Sequence, residues 1–590
     1  MVEEGAPGVA LVRDTCSVYV LRNGREGVAI DFGSGLVLDR LDALGLDRVT
    51  DVLLTHHHRD QTQGLRRAAE HGARIWAPPE EAELVADVDR HWQSRPIDRD
   101  YDLSEDRFSL REQVEIAGTV AEYRRTAFGG FEIEALPTPG HTIGSVTYLV
   151  EVQGRTVAFT GDLVHEGGRL WSLAATQWTY SGVEGLAATI ESAYVLARRR
   201  PDVLLPSHGP AIDDPPRALD DLQRRLLELI ELRVGAPSGL AERLEHPFDA
   251  VTPHLLRNRV SFANSHVLIS EDGAALLFDF GYDACPWQRP LLWTIDVLKE
   301  QYGVRRVEAA ITTHYHDDHV AGLNLLRDVE GTQVWSPANV APVLEEPHRY
   351  DLPCLWPDPI PVDRVLDLGV PFRWHEHELT AYAFPGHTLY AAAIAFEADG
   401  RRVLATGDQY GLDGIRGMLN YQYRNRFARR DFVQTGELLA ELAPDLVVSG
   451  HWLPRAVDRS LVEQLQLDAG RLAALHDELL PEEGLGEVGF AARIEPYRCT
   501  VAAGGELHIE VTVRNPLARA ARATVRLALP EGFSAPAAEH EVELTAHGEA
   551  VVQLALRAAE EPARRQRIAA DITVGGLRFG EQAEALVDVT

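Results

Sequence analysis

Two short stretches concentrate the side chains able to do chemistry. His314-x-His316-x-Asp318-His319 follows the strand-like run AAITT, and His56-x-His58-x-Asp60-Gln61 follows TDVLLT. Imidazole nitrogen and carboxylate oxygen are the donors that zinc takes where no thiolate is on offer. Directly after a strand, His314 and His316 point the same way, while Asp318 and His319 can face a neighbouring point. Two adjacent metal positions are the natural result. Further on, PTPGHTIGS carries His141 and AFPGHTLYA carries His387; VAFTGDL carries Asp162 and VLATGDQ carries Asp408; DVLLPSHG carries His208 and DLVVSGHW carries His451. His387 and His451 would complete one position each, and Asp408, with two oxygens, could bridge them. Such a centre activates water and needs no Ser or Cys nucleophile; none sits in a GxSxG context.

The elements that must position these residues are themselves repeated. In both copies 21 residues separate the third His from the Asp, and 46 or 43 separate that Asp from the last His. Four blocks in one order at near-equal spacing mark a duplicated domain. Each copy opens alike: SVYVLRNGREGVAIDFGSG (17–35) matches SHVLISEDGAALLFDFGYD (265–283), two apolar strands ending in Asp-x-Gly. Strand-like runs then alternate with amphipathic helical stretches, at 183–199, 214–234, 319–328 and 458–478. In the second of these, Leu219, Leu222, Leu226 and Ile230 form an apolar stripe suited to core packing. The motifs fall where apolar strands end, and strand ends in a layered α/β fold converge on one rim. That predicts one polar cleft per copy. From about residue 489 the period changes to alternating strands with turns about every 10 residues, the pattern of a small β-sandwich. The expected domains are 1–240, 250–482 and 488–590, with a linker near 236–253.

The chain has 590 residues, 45% apolar and 25% charged, which is globular composition. A formal charge of −33 repels phosphate backbones, and no compensating basic groove is legible, so nucleic acid is not an expected partner. No apolar run is long enough to span a bilayer, and the start Met1-Val-Glu-Glu lacks a basic signal region. Cys16, Cys285, Cys354 and Cys499 form no CxxC pair, which fits a reducing compartment. A cytoplasmic protein acting on a small molecule is expected; the sequence is compatible with a homo-oligomer.

The constellation resembles the metallo-β-lactamase superfamily, whose pattern is HxHxDH, then a His, a bridging Asp and a final His. The resemblance covers about 1–215 and 255–480. It implies two αββα sandwich domains in tandem, followed here by the all-β, immunoglobulin-like module. It also implies that one metal in copy two takes His314, His316 and His387, and the other Asp318, His319 and His451, with Asp408 bridging. Copy one departs at Gln61, a neutral amide. The set His56, His58 and His141 stays whole, while Asp60, Asp162 and His208 should hold a second metal less tightly. Zinc is expected, two ions in copy two and one or two in copy one, and returning a His at position 61 should add about one.

By the same resemblance the chain is a zinc-dependent metallo-hydrolase. A zinc-bridging hydroxide would attack an ester, lactone, thioester or similar small substrate, chiefly in copy two. Asp318, and Asp60 in copy one, would orient the nucleophile and pass on its proton. After the bridging Asp, copy one carries Trp171, Trp178 and Tyr180, and copy two Tyr410, Tyr421, Tyr423 and Arg424. These could wall a substrate pocket, with Arg424 holding a carboxylate; packing of the loop onto its own domain is the other reading. Two further functions stay open at this point. One is a non-haem iron dioxygenase of the persulfide-dioxygenase type, which predicts iron. The other is a non-catalytic binding or scaffold protein with a degenerate first copy.

Overall fold

The computed structural model describes residues 2–95, 97, 98, 106, 108–177, 184–236, 238–283, 292–416, 422–480, 491–537 and 539–590. The chain forms two compact units, one built on residues 1–247 with 283–289, the other on 248–282 with 290–590. The first unit holds copy one; the second holds copy two and the C-terminal sandwich. Trp178, Tyr180 and Tyr421 lie outside the described residues.

In the first unit a seven-stranded sheet runs in chain order from Val2–Ala6 to Gly118–Thr119. A five-stranded sheet follows, ordered Val203–Pro206, Arg155–Gly161, Val146–Val152, Phe131–Pro137, Arg125–Phe128. Val-, Leu- and aromatic-rich runs such as VTYLVEV and RTVAFTG favour strands because branched and aromatic side chains pack on a pleated surface. The two sheets meet face to face: Tyr19, Leu21 and Leu53 from one pack on Tyr148, Phe159 and Leu205 from the other. The far face of the first sheet is covered by helical residues including Leu65, Ala68, Val85 and Val88. The helix Pro215–Val234 buries Leu219, Leu222 and Leu226 and packs on the helix Leu186–Arg198, so the stripe at 219–226 is core.

The second unit repeats these layers. Its seven-stranded sheet runs from Phe248–Thr252 to Arg364–Leu366, and a six-stranded sheet from Pro371–Trp374 to Arg455–Ala456. Phe278, Ile311 and Leu268 meet Leu379, Ile394 and Phe396 between the sheets. Helices Asp431–Leu442 and Arg459–Leu479 cover the outer face through Phe432, Leu439, Leu461 and Leu465. This is an αββα sandwich, present twice. Residues 491–590 form a separate sandwich of a three-stranded and a five-stranded sheet closed over Ile509, Val511, Val525, Ile572 and Val587.

Strand ends deliver the site residues. His56 and His314 follow strands ending at Leu53 and Ile311, and Asp162 and Asp408 follow strands ending at Gly161 and Ala405. His208 and His451 follow strands ending at Pro206 and Val448. Among the described residues no helix is long and apolar enough to cross a membrane.

Candidate metal centres

In copy two the donor atoms of His314, His316, His387 and Asp408 lie within 4.8 Å of one another, and so do those of Asp318, His319, Asp408 and His451. Asp408 belongs to both groups. Its Oδ2 is 3.9 Å from His314 Nε2, 3.7 Å from His387 Nε2 and 3.1 Å from His451 Nε2, while Oδ1 is 3.2 Å from His319 Nε2. Asp318 Oδ2 closes the second group at 3.1 Å from His451 Nε2. One carboxylate therefore faces both halves of the centre.

The outward nitrogens of three of these imidazoles are already engaged. His314 Nδ1 meets Thr313 Oγ1 at 3.1 Å, and His319 Nδ1 meets Asp279 Oδ2 at 2.7 Å. His316 Nε2 meets Asn425 Oδ1 at 3.3 Å, leaving Nδ1 facing His387 Nε2 at 3.2 Å. Asp279 also accepts from Thr313, from N at 2.7 Å and from Oγ1 at 2.7 Å. Its backbone is in the left-handed region at φ 62°, a conformation that costs energy for a non-glycine residue and that its twin Asp31 shares at φ 56°. Protein partners fixing the outer nitrogen of a histidine, so that the inner one converges on a common point, is the usual arrangement around a bound metal.

These residues fit a metal. The inward atoms His314 Nε2 and, in copy one, His56 Nε2 are buried without a hydrogen-bond partner among the described residues. Buried polar atoms left in that state cost free energy, which a cation at the point of convergence would recover. Burial, reinforced by neighbouring imidazoles, holds His314 and His56 well below the ordinary histidine range and brings His316 down to about 4 and His58 to about 3. They are neutral near pH 7, with lone pairs to donate.

Copy one keeps half of this. The donor atoms of His56, His58 and His141 lie together, and Asp60, Asp162 and His208 form a second group. Gln61 is fully buried at the place of His319, with Nε2 3.5 Å from Asp162 Oδ2 and Oε1 unpartnered among the described residues. His208 is turned differently from His451: Nδ1 meets Asp162 Oδ1 at 2.7 Å and Nε2 meets Asp60 Oδ2 at 3.2 Å. Trp171 stacks on its ring, centroids 4.2 Å apart and planes 4° off parallel.

Residues 11–208 and 258–451 each match the metallo-beta-lactamase superfamily, together covering more than half of the chain. The chain belongs to that superfamily. It is 25% identical over 211 residues to a protein of Pseudomonas savastanoi pv. phaseolicola named hydroxyacylglutathione hydrolase, spanning 34% of this chain and 68% of that one. It is 29% identical over 210 residues to an uncharacterized protein of Mycobacterium tuberculosis, spanning 33% of this chain and 86% of that one. Among solved structures, a metallo-beta-lactamase family protein from Thermus thermophilus shares 21% identity with a TM-score of 0.31, covering 40% of this chain and 88% of that one.

Within this metallo-beta-lactamase fold the residues expected to wall a substrate pocket part company. Tyr410 is 4% exposed, packs on Phe384 and Phe432, and has its hydroxyl 3.2 Å from Thr435 Oγ1; it is a core residue, because the chain after Asp408 turns under the helix Asp431–Leu442. Tyr423 and Arg424 line a cavity of about 450 Å³ together with residues of the C-terminal sandwich, and the donor residues of the centre are not part of its lining. Arg424, however, is already paired with Asp351. Sequence reasoning passed over four residues that the fold brings to the centres: Asp31 and Asp279, Asn425, and Glu81. The buried Glu81 carboxylate accepts from His57 N at 2.6 Å, Gly144 N at 2.9 Å and Thr142 Oγ1, and pairs with His57 Nδ1 at 3.0 Å, so it ties the His56–His58 loop to the His141 loop. Burial pushes its carboxyl up, but His57 and these donors outweigh that and bring it to about 2. The only advance signal was the shared Asp-x-Gly at the ends of matching strands.

Proposed function

We propose that the chain is a metal-dependent hydrolase whose working centre is the one in copy two. The observation carrying this reading is the pair of convergent donor groups joined through Asp408, complete in copy two and broken at Gln61 in copy one. His314, His316 and His387 would hold one zinc, and Asp318, His319 and His451 the other, with Asp408 shared. Zinc, when bound, supplies Lewis acidity and activates water near neutral pH.

The chain's own residues do the rest. Asp279 and Thr313 fix the rings of His319 and His314 from outside, so little reorganisation accompanies reaction. Asp318 Oδ2 stands at the edge of the donor set, 3.1 Å from His451, and is placed to take a proton and hand it to a leaving group. His319 and His451 counter the burial of its carboxyl and keep it ionised, as a proton acceptor must be. Esters, lactones and thioesters all suit such a site. The similarity to proteins named hydroxyacylglutathione hydrolase favours a thioester.

Metal content of protein purified without chelator tests the reading, alongside hydrolysis of acyl thioesters. About three zinc ions per chain, two from copy two and one from copy one, is the expected result. Iron in their place would support the dioxygenase reading, and no metal in a folded chain would support the scaffold.

A further inference from the structure

We propose that Asn425, braced by the C-terminal β-sandwich, is a positioning residue of the copy-two centre, acting on His316, and that the sandwich is thereby a working part of that centre. The proposal rests on the metal-dependent reading above.

Asn425 is 2% exposed and makes contacts in two directions. Its side-chain Oδ1 accepts from Tyr315 Oη at 2.7 Å and from His316 Nε2 at 3.3 Å. Its backbone oxygen accepts from Leu389 N at 3.0 Å and Thr388 Oγ1 at 3.1 Å. One residue thus ties the loop bearing His314 and His316 to the loop bearing His387. Copy one performs the same task with Glu81, which grips His57 and Thr142, the counterparts of Tyr315 and Thr388. The two copies arrived at one mechanical solution through residues from different parts of the chain, which marks the task as a requirement of the centre.

The Asn425 contact also has a chemical consequence. An amide oxygen can only accept, so His316 Nε2 carries the hydrogen and Nδ1 presents its lone pair to the convergent group. A residue of the same shape without an acceptor would leave the tautomer and the ring angle unset.

The segment is held from the sandwich side. Arg426, at φ 59°, donates from Nη1 to Tyr390 Oη at 2.8 Å and lies 3.8 Å from Glu495 Oε1. Glu495 ends the sandwich strand Ala492–Glu495, and its Oε2 is 3.4 Å from Arg349 Nε. Arg349 reaches the neighbouring strand Glu506–Arg514 through Glu510 at 2.7 Å, and its carbonyl accepts from Tyr497 N at 3.0 Å. Asp351, Tyr423, Arg424 and Arg426 form one wall of the 450 Å³ cavity whose other walls, including Arg493, Tyr497 and Arg514, belong to the sandwich.

The test uses the full chain in a His58→Ala background, which leaves copy two as the intact centre, and reads zinc retention against a chelator together with the visible spectrum of the cobalt-substituted protein. Asn425→Leu keeps the shape and removes the acceptor; Asn425→Asp keeps the acceptor. The expected result is that Asn425→Leu weakens retention about 10–100-fold and alters the cobalt spectrum, while Asn425→Asp stays near the parent. Equal behaviour of the two variants would overturn the acceptor role. A paired Arg349→Ala/Glu495→Gln variant, which leaves Asn425 untouched, should shift retention in the same direction by a smaller factor; parental retention would overturn the part given to the sandwich, and this arm stands even if Asn425→Leu fails to fold. If the parent itself holds no metal, the hydrolase reading fails first, and the two failures are distinguishable.

Discussion

Ser207 donates its hydroxyl to Asp31 Oδ2 across 2.8 Å, at the position where the second copy brings His319 Nδ1 to Asp279 Oδ2 at 2.7 Å. The counterpart of Ser207 is Gly450, and the two backbones match: Ser207 N bonds Gly161 O at 2.8 Å and Gly450 N bonds Gly407 O at 2.9 Å. A Cβ on Gly450 would stand 2.0 Å from Asp408 Oδ1 and 2.6 Å from His319 Cε1. A histidine at the sixth motif position therefore demands glycine before the last histidine. Copy one differs at both positions together, with Gln61 and Ser207.

Returning a histidine to position 61 should consequently fail by itself. Gln61→His places a ring against the Ser207 side chain and should destabilise the first unit by about 1–3 kcal/mol, the usual cost of overpacking. Metal content should stay unchanged. The double variant Gln61→His/Ser207→Gly should raise it by about one ion per chain, measured by elemental analysis. A rise in the single variant would show that Ser207 is no obstacle.

The converse change belongs to copy two. Gly450→Ala should lower metal content by about one ion per chain, because the added carbon must displace Asp408 or His319. The change lies in the loop after the strand Leu446–Val448 and not in a strand or helix, so far-ultraviolet circular dichroism should match the parent. Full metal content would mean that the strand-end loop gives way easily.

The two copies should respond unequally to ligand removal. His316→Ala should reduce kcat/KM by about 1000-fold or more, on the order of 4 kcal/mol of lost transition-state stabilisation. His58→Ala should leave most of the activity. Equal losses would assign catalysis to both centres.

Asp31 predicts a pH dependence of the metal-free protein. Burial, with Asp162 adding to it, raises its carboxyl from 3.8 to about 7 against the hydrogen bonds from Thr55 and Ser207. The folded chain then holds a proton that the unfolded chain releases between these values. Stability should fall as pH rises from about 4 to 7, by on the order of a few kcal/mol, and level off above. Asp31→Asn should flatten this slope in denaturant titrations of chelator-treated protein. An unchanged slope would place its origin elsewhere.

The duplicated domain, the layered architecture and the donor set were all legible in the linear pattern of residues. Ligand chemistry requires particular residue types, and strand ends deliver them at near-constant spacing, so His314 through His451 could be read in order. Tyr410 misled because an aromatic after a motif has the same composition whether it walls a cleft or fills a core; only the helix Asp431–Leu442 packed over it decides. Ser207, Glu81 and Asn425 carry no local signal, being common residue types, and Asp31 carried only the Asp-x-Gly that it shares with Asp279. Their roles are relations across long separations: Ser207 to Asp31 over 176 residues, Asn425 to Tyr315 over 110. Hydrogen bonds act over about 3 Å, and which distant groups come that close is set by the packing of whole sheets and loops. The residues that hold the metal were written in the linear pattern; the residues that hold the ligands came into being with the tertiary fold.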